Sequence, residues 1–320
     1  MHSVSVVVPL YNCRDYLIEC IASLRNQSLT EFTCVVVDDC SSDDSYDLAR
    51  SLTVEDPRFT VVRNESNLGH IGNYRRGIDL IIGELIIKVD PDDIIESSCL
   101  ELLSQSFSHD RVVLAYCNGF ILENGTRKAY SELGNARVLD GEEFIRKFAE
   151  HGNPCIHSGA MFRRAAYDRV GGYVDPFRCK STWEDSSLWL RLAMHGDVAY
   201  VSERLVQYRI REGSATSESR DPARRQSLVF GVLECLQYTE EALRTNIVSE
   251  RWRPFLKRCY ARKLLFCAEM NYMNNAMIAL SLRGAWSCAW PEVLLSARTW
   301  KLAMRRIVPE RVLRRLRASV

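Results

Sequence analysis

The feature that most constrains this chain is an alternation at its start: short β-branched runs, each followed by a stretch of helical period, with carboxylates placed where the runs stop. Residues 4–9 read as a strand. Residues 15–27 then put Leu17, Ile21 and Leu24 on one helical face, able to return across a sheet to a second strand at 32–38. A helix at 44–52 and a strand at 59–63 make the second unit. In the third, Ile71, Tyr74, Ile78 and Ile82 line one helix face ahead of a strand at 84–90, where Leu85, Ile86, Ile87 and Val89 predict burial on both sides. Three such units predict an α/β chain with a Rossmann-like, mostly parallel sheet flanked by helices.

After Asp93 the alternation loosens. A helix is expected near 97–106, a strand near 112–117 and a hairpin at Glu123, Asn124 and Gly125. Further helices are expected at 142–149 and at 184–195, the latter with Leu188, Trp189, Leu192 and Ala193 as its apolar side. From Pro222 onward the period is helical, interrupted at Pro254, Pro291 and Pro309.

With 320 residues, 47% of them hydrophobic, the chain is long enough for one α/β domain with a helical appendage. A formal net charge of +1 conceals a basic end, where Arg298, Lys301, Arg305, Arg306, Arg311, Arg314, Arg315 and Arg317 face only Glu310. The twelve cysteines include no CxxC pair, and Met1, His2 and Ser3 run straight into the first strand, so no signal peptide and reduced, mostly buried thiols are expected. The sequons at Asn26, Asn64 and Asn124 are then chance matches. The longest apolar candidate, 276–297, is broken by Arg283, Pro291 and Glu292, so no membrane span is expected.

Ligands of open parallel sheets bind at the carboxyl ends of the strands. Here the first strand ends at Pro9, Leu10, Tyr11 and Asn12, the second at Asp38 and Asp39 ahead of Cys40, Ser41, Ser42 and Asp43, and the 84–90 strand at Asp90, Pro91, Asp92 and Asp93. Asp and Ser also serve turns and caps, so one acidic pair alone would be ambiguous. Three clusters on one rim call for a positive partner. Mg²⁺ or Mn²⁺ fits, because these ions take one or two carboxylates and leave other positions for water and nucleotide phosphates.

These residues resemble a family, the family 2 glycosyltransferases of GT-A fold. "VSVVVPLYN" (4–12) looks like its opening strand, "VVVDDCSSDDS" (35–45) its second strand and acidic loop, "NESNLGHIGNYRRGI" (64–78) its third signature and "IIKVDPDD" (86–93) its DxD element. The resemblance continues through "HSGAMFRRAAYDRVGGY" (157–173), "WEDSSLWLRLAMHG" (183–196) and the "YRIREGSATS" segment from Tyr208. It implies a catalytic domain over residues 1–221, with a nucleotide-binding half at 1–93 and an acceptor-side half at 94–221, followed by a helical region at 222–320.

The resemblance also implies an inverting transfer of sugar from a nucleotide-diphosphate donor, a UDP-sugar by analogy, to a hydroxyl of a glycan or lipid-linked acceptor. Asp38 or Asp39 would accept a hydrogen bond from the base, Pro9 and Tyr11 would line its pocket and Asn12 would stand beside it. For Tyr11, stacking on the base and packing on the first helix are both open readings. Asp90 would bind ribose or the metal shell, Asp92 the metal, with Asp93 in reserve. Glu184 and Asp185 open a helix, and Asp185 matches the general base that takes the acceptor proton; helix capping is the alternative use of the same pair.

Two positions depart from the family pattern. Many relatives carry His two residues after the Arg of their Tyr-Arg element, whereas this chain reads Tyr208, Arg209, Ile210, Arg211. Arg211 cannot ligate a cation; it either pairs with the diphosphate or lies solvated at the surface. The common Arg-Asn pair after Asn-Leu-Gly is Tyr74 and Arg75 here. Trp183 either stacks on a sugar or packs beneath its loop. The basic, Trp-bearing C-terminal helices either cap the catalytic domain or lie on an anionic membrane, giving an expectation of a cytoplasmic protein, peripheral at the inner face. No basic, aromatic-lined groove points to nucleic acid. A sugar nucleotidyltransferase would need a glycine-rich basic loop where Pro9 to Cys13 stand; a non-catalytic nucleotide-sugar binder is the open alternative, with Arg211 in its favour and Asp185 in favour of activity.

Overall fold

The computed structural model describes residues 2–130, 134–173 and 184–211, together with Ala261. The chain divides into two compact units, and all the described residues except Ala261 belong to the first, Met1–Lys180 with Glu184–Ser214. The expected helical region at 222–320, its membrane-facing role and Trp183 lie outside the described residues. Among the described residues no helix is long and apolar enough to cross a membrane.

The three expected units form. Strand β1 (Val4–Leu10), helix α1 (Arg14–Arg25), β2 (Phe32–Asp38), α2 (Ser45–Thr53), β3 (Phe59–Arg63), α3 (Gly69–Asp79) and β4 (Leu85–Lys88) follow one another. β1 pairs in parallel with β2 and β4, and β2 with β3. Every residue of β1 and β4 is buried, as strands covered on both faces require. Leu17, Ile21 and Leu24 of α1 are buried in the same core as Val6, Val8, Val36, Leu85 and Ile87. Each such side chain contributes about 1.5–3 kcal/mol by leaving water. One expectation fails in α3: the helix stops at Asp79, leaving Ile82 91% exposed in the link to β4.

The second half completes the sheet. β5 (Ile94–Ile95), α4 (Cys99–Gln105), β6 (Val112–Glu123), β7 (Thr126–Ala129), β8 (Arg137–Leu139), α5 (Gly141–His151), β9 (Ala160–Arg163), α6 (Arg164–Arg169), α7 (Glu184–Ala193) and β10 (Asp197–Ile210) follow in order. The spatial order is β3-β2-β1-β4-β9-β6-β10-β5, with β7 on β6 and β8 on β10. β9 runs antiparallel to both β4 and β6, and β6 and β10 run parallel to each other. β1–β4, β6 and β10 thus run one way, while β9 within the sheet and β5, β7 and β8 at its margins run the other. The seven described cysteines are all free, and six of them are buried.

α5 and α7 meet through a glycine. A Cβ on Gly141 would stand 1.7 Å from the Ala193 carbonyl oxygen and 2.7 Å from that of Gly196. Because both obstacles are backbone, Gly141→Ala is expected to destabilise the protein by about 2 kcal/mol, measured by urea denaturation. Parent-like stability would show that this junction yields.

Candidate active site

β1, β2 and β3 end level with one another: Leu10 stands opposite Asp38, and Asp38 opposite Arg63. The loops after β1 and β2 turn away sharply. Asn12, Cys40 and Asp44 adopt left-handed backbone conformations, with φ of 46°, 62° and 62°. For cysteine this region is sparsely populated, so surrounding contacts must hold it. Those contacts exist. Asn12 Oδ1 accepts from the Ser42 amide at 2.8 Å, the Asn12 amide donates to Ser41 Oγ at 3.0 Å, and the Cys40 thiol donates to the Asn64 carbonyl at 3.0 Å. The Asn12 side chain therefore clamps the two loops together through Oδ1. Pro9 is buried within β1, whereas Tyr11 is 50% exposed, unlike a tyrosine packed on α1.

The adjacent aspartates separate into two roles. Asp39 Oδ1 accepts from Asn64 Nδ2 and the Leu68 amide, each at 2.8 Å, and Oδ2 from the Gly69 amide at 2.9 Å. It holds the start of α3, where orphan N–H groups need an acceptor, so the expected base contact does not suit it. Asp38 is fully buried; its Oδ2 accepts from the Ser41 amide at 3.1 Å and lies 3.3 Å from Arg63 Nε. Asp38 Oδ1 is buried with no hydrogen-bond partner among the described residues. An orphaned carboxylate oxygen is costly, and a ligand N–H would satisfy it.

The cluster after β4 is already charge-compensated. Lys88, a buried lysine on β4 that sequence reasoning assigned no role, places Nζ 2.6 and 2.8 Å from the two oxygens of Asp90 and 4.1 Å from the centre of the Tyr74 ring. A charge inside the apolar run Leu85 to Val89 was the available signal, because a buried ammonium needs a partner. Asp92 Oδ2 accepts from Arg211 Nε at 2.7 Å, and its carbonyl from Arg209 Nε at 2.9 Å. Arg211 is thus paired, not solvated. Arg209 also pairs with Glu19, and both guanidiniums lie over the Tyr16 ring. Burial, then the Asp92 carboxylate, push the Cys13 thiol up to about 12 against the pull of Arg211, so it is no nucleophile.

Asp93 turns inward. It is buried, accepting from Ser158 Oγ at 2.5 Å and from the Arg209 amide at 2.9 Å. Burial, then Asp92 and Asp90, push its carboxyl well above the usual range. It ties β10 to the loop after β4, a physical reason against its expected reserve role as a cation ligand.

Across the sheet end, α7 presents the acidic pair. Asn153 Nδ2 donates to Asp185 Oδ2 at 3.0 Å and to Ser186 Oγ at 3.1 Å, so Asn153, also missed from sequence, fixes the carboxylate's direction. Glu184 is buried; Oε1 stands 3.9 Å from His70 Nε2, and Oε2 has no hydrogen-bond partner among the described residues. The half-buried Tyr74 links the two groups, for burial and then the charges of Asp90 and Glu184, with that of Asp92, push its hydroxyl well up. His157 and the Tyr173 hydroxyl are 2.6 Å apart beside it. Burial, then Lys88 and His70, hold His157 well below its ordinary value, hence neutral. The charges of Asp90, Asp92 and Glu184 thus all act on one tyrosine hydroxyl, and Asp185 follows Glu184 in the chain.

The donor set fits a divalent cation poorly. Both Asp90 oxygens are held by Lys88, and one Asp92 oxygen by Arg211. A metal ion on Asp92 would share that carboxylate with a guanidinium, and the two positive charges would repel. Among the described residues no group of three or more His, Cys, Asp or Glu side chains is arranged to hold a metal.

Comparison with known proteins settles the class. The sequence pattern of "Glycosyl transferase family 2" matches residues 5–171, just over half of the 320 residues. The chain belongs to glycosyl transferase family 2. The glycosyltransferase GlyG of Streptococcus pneumoniae is 35% identical over 102 residues, 32% of this chain. The match spans about a third of that relative's own length, 34%. Among solved structures, S. aureus TarS 1–349 in complex with UDP-GlcNAc superposes with a TM-score of 0.58 at 18% identity, over 91% of each chain. The mannosyltransferase PcManGT of Pyrobaculum calidifontis, in complex with GDP-Man and Mn²⁺, gives 0.58 at 19% identity, over 94% of this chain and 80% of that one. At these identities the likeness establishes the GT-A fold of this family 2 chain.

Proposed function

We propose that this family 2 glycosyltransferase moves a sugar from a nucleotide-diphosphate sugar to an acceptor hydroxyl, with inversion, and that Asp185 is the general base. The observation that carries the reading is an oriented carboxylate, Asp185 held by Asn153, adjacent in the chain to Glu184, whose charge acts with those of Asp90 and Asp92 on the buried hydroxyl of Tyr74. In a single displacement the acceptor oxygen attacks the anomeric carbon while Asp185 takes its proton and the nucleoside diphosphate leaves. Asp38 Oδ1 suits the imide N–H of a uracil, or the N–H edge of a guanine, and Tyr11 offers a face for stacking.

Two similar structures hold donors of different base and sugar, UDP-GlcNAc and GDP-Man, which supports the nucleotide-sugar class without choosing within it. A glycan or lipid-linked acceptor, and peripheral attachment to an anionic membrane, follow the family resemblance and the basic end of the sequence. Division into a catalytic domain at 1–221 and a helical region beyond it belongs to the same proposal.

The test is a panel of UDP- and GDP-sugars mixed with glycan and lipid-linked acceptors. Release of UDP or GDP with one donor is expected, and an anomeric NMR signal of opposite configuration in the product. If every donor is left intact and none binds, the reading is wrong.

A further inference from the structure

The rim carries its own cations. Asp38 lies against Arg63, Asp90 against Lys88, Asp92 against Arg211 and Glu19 against Arg209. Asp39 is satisfied by Asn64 and by amides at the start of α3, and Asp93 by the Ser158 hydroxyl and the Arg209 amide. The negative charge that on sequence grounds seemed to call for a divalent ion is thus neutralised side chain by side chain. Lys88 is locked in place, since its Nζ contacts both Asp90 oxygens and the Tyr74 face and only 3% of its side chain is exposed. Arg211 is not: its side chain is 22% exposed, Nε donates to Asp92 and one terminal nitrogen to the Cys13 sulfur at 3.7 Å.

A guanidinium has five N–H donors in a planar fork, and a sulfur at that distance is a weak acceptor, so most of Arg211's hydrogen-bonding capacity remains for an anion at the rim. Asp92 aims the fork through Nε, and the Tyr16 ring, 5.3 Å from the guanidinium carbon, supports it. We infer that Arg211, aimed by Asp92, is the chain's resident counter-ion for the donor's diphosphate, so that nucleotide binding does not require a divalent metal. This rests on the proposed nucleotide-sugar reading and adds how its charge is met.

The experiment is calorimetric titration of the full chain with UDP and with GDP, each in excess EDTA and in Mn²⁺, for the parent, Arg211→Ala and Arg211→His. The parent should bind one of the two nucleotides with EDTA and Mn²⁺ affinities agreeing within about threefold. Arg211→Ala should bind it about tenfold to a hundredfold more weakly in EDTA, the loss of a charge-assisted contact. Arg211→His, which puts a metal-ligating side chain beside the free Asp92, should recover affinity in Mn²⁺ and lose it in EDTA. A merely structural arginine would not create that metal dependence. Binding by the parent only in Mn²⁺ overturns the inference while leaving the nucleotide-sugar reading intact. Equal affinities of parent and Arg211→Ala in EDTA overturn it as well, and no binding of either nucleotide under any condition removes both.

Discussion

Asp185→Asn is expected to lower transfer by about 10²–10⁴ and to leave nucleotide affinity unchanged. The substitution keeps the shape of the side chain and exchanges one carboxylate oxygen for an amide nitrogen, so the remaining oxygen can keep one of the two present contacts, with Asn153 Nδ2 at 3.0 Å or with the Ser186 amide. What disappears is the capacity to accept a proton from the attacking hydroxyl. Single-turnover transfer measured beside calorimetric nucleotide binding separates these effects. Parent-like turnover would leave Asp185 as a helix-terminal carboxylate and nothing more. Asn153→Ala should produce a smaller loss in the same direction, because it removes the hydrogen bond to Oδ2 while Oδ1 keeps the Ser186 amide.

Lys88→Leu is expected to destabilise the fold by about 3 kcal/mol and to weaken nucleotide binding, because it leaves Asp90 without its partner in a largely enclosed site. Removing one member of such a pair is worse than removing both. Lys88→Met combined with Asp90→Leu should therefore recover most of the lost stability by packing apolar volume against Tyr74, while nucleotide binding stays weak. Urea denaturation and calorimetry on the parent and the two variants distinguish a scaffold role from a binding role. If Lys88→Leu unfolds at the parent's midpoint, the pair does not hold the loop after β4.

The first half of the fold was legible because its signals are local. β2 and β3 occupy the expected residues, and α1, α2 and β4 differ from expectation by a few positions at their ends. The helix face drawn through Ile82 failed because periodicity does not show where a helix stops; α3 ends at Asp79 and Gly83 must then pass within 2.5 Å of Ser5 Oγ at its missing Cβ. β9 and β10 went unread. β10 mixes Glu203, Arg204 and Arg209 into a strand whose pairing changes from β8 to β5 along its length, so neither alternation nor a continuous apolar run marks it.

In the site, the sequence showed which carboxylates reach the rim and not what each one faces. Asp38 and Asp39 look equivalent in a string of letters. Their difference comes from Asn64, Leu68 and Gly69, which are brought to Asp39 by the start of α3. Lys88 was visible as a charge in an apolar strand, whereas Asn153 sits in a loop with no pattern to mark it and Ser158, though within the 157–173 stretch, carries no sign that it faces Asp93. Long-range pairs such as Arg211 with Asp92 arise only from the order of strands in the sheet.

β10 also limits how the family can vary in this chain. Arg209 and Arg211 stand two residues apart at the end of an extended run, which is why both reach Asp92 and Tyr16. The pairing with β6 slips twice between Val201 and Val206 and then proceeds in step from Val206 to Ile210. Insertions or deletions of single residues can be absorbed in the irregular stretch. Beyond Val206 an odd change in length would rotate Tyr208 and Ile210 toward the aspartate and send both guanidiniums to the opposite face, so related chains should differ in spacing upstream of that point and keep it fixed downstream.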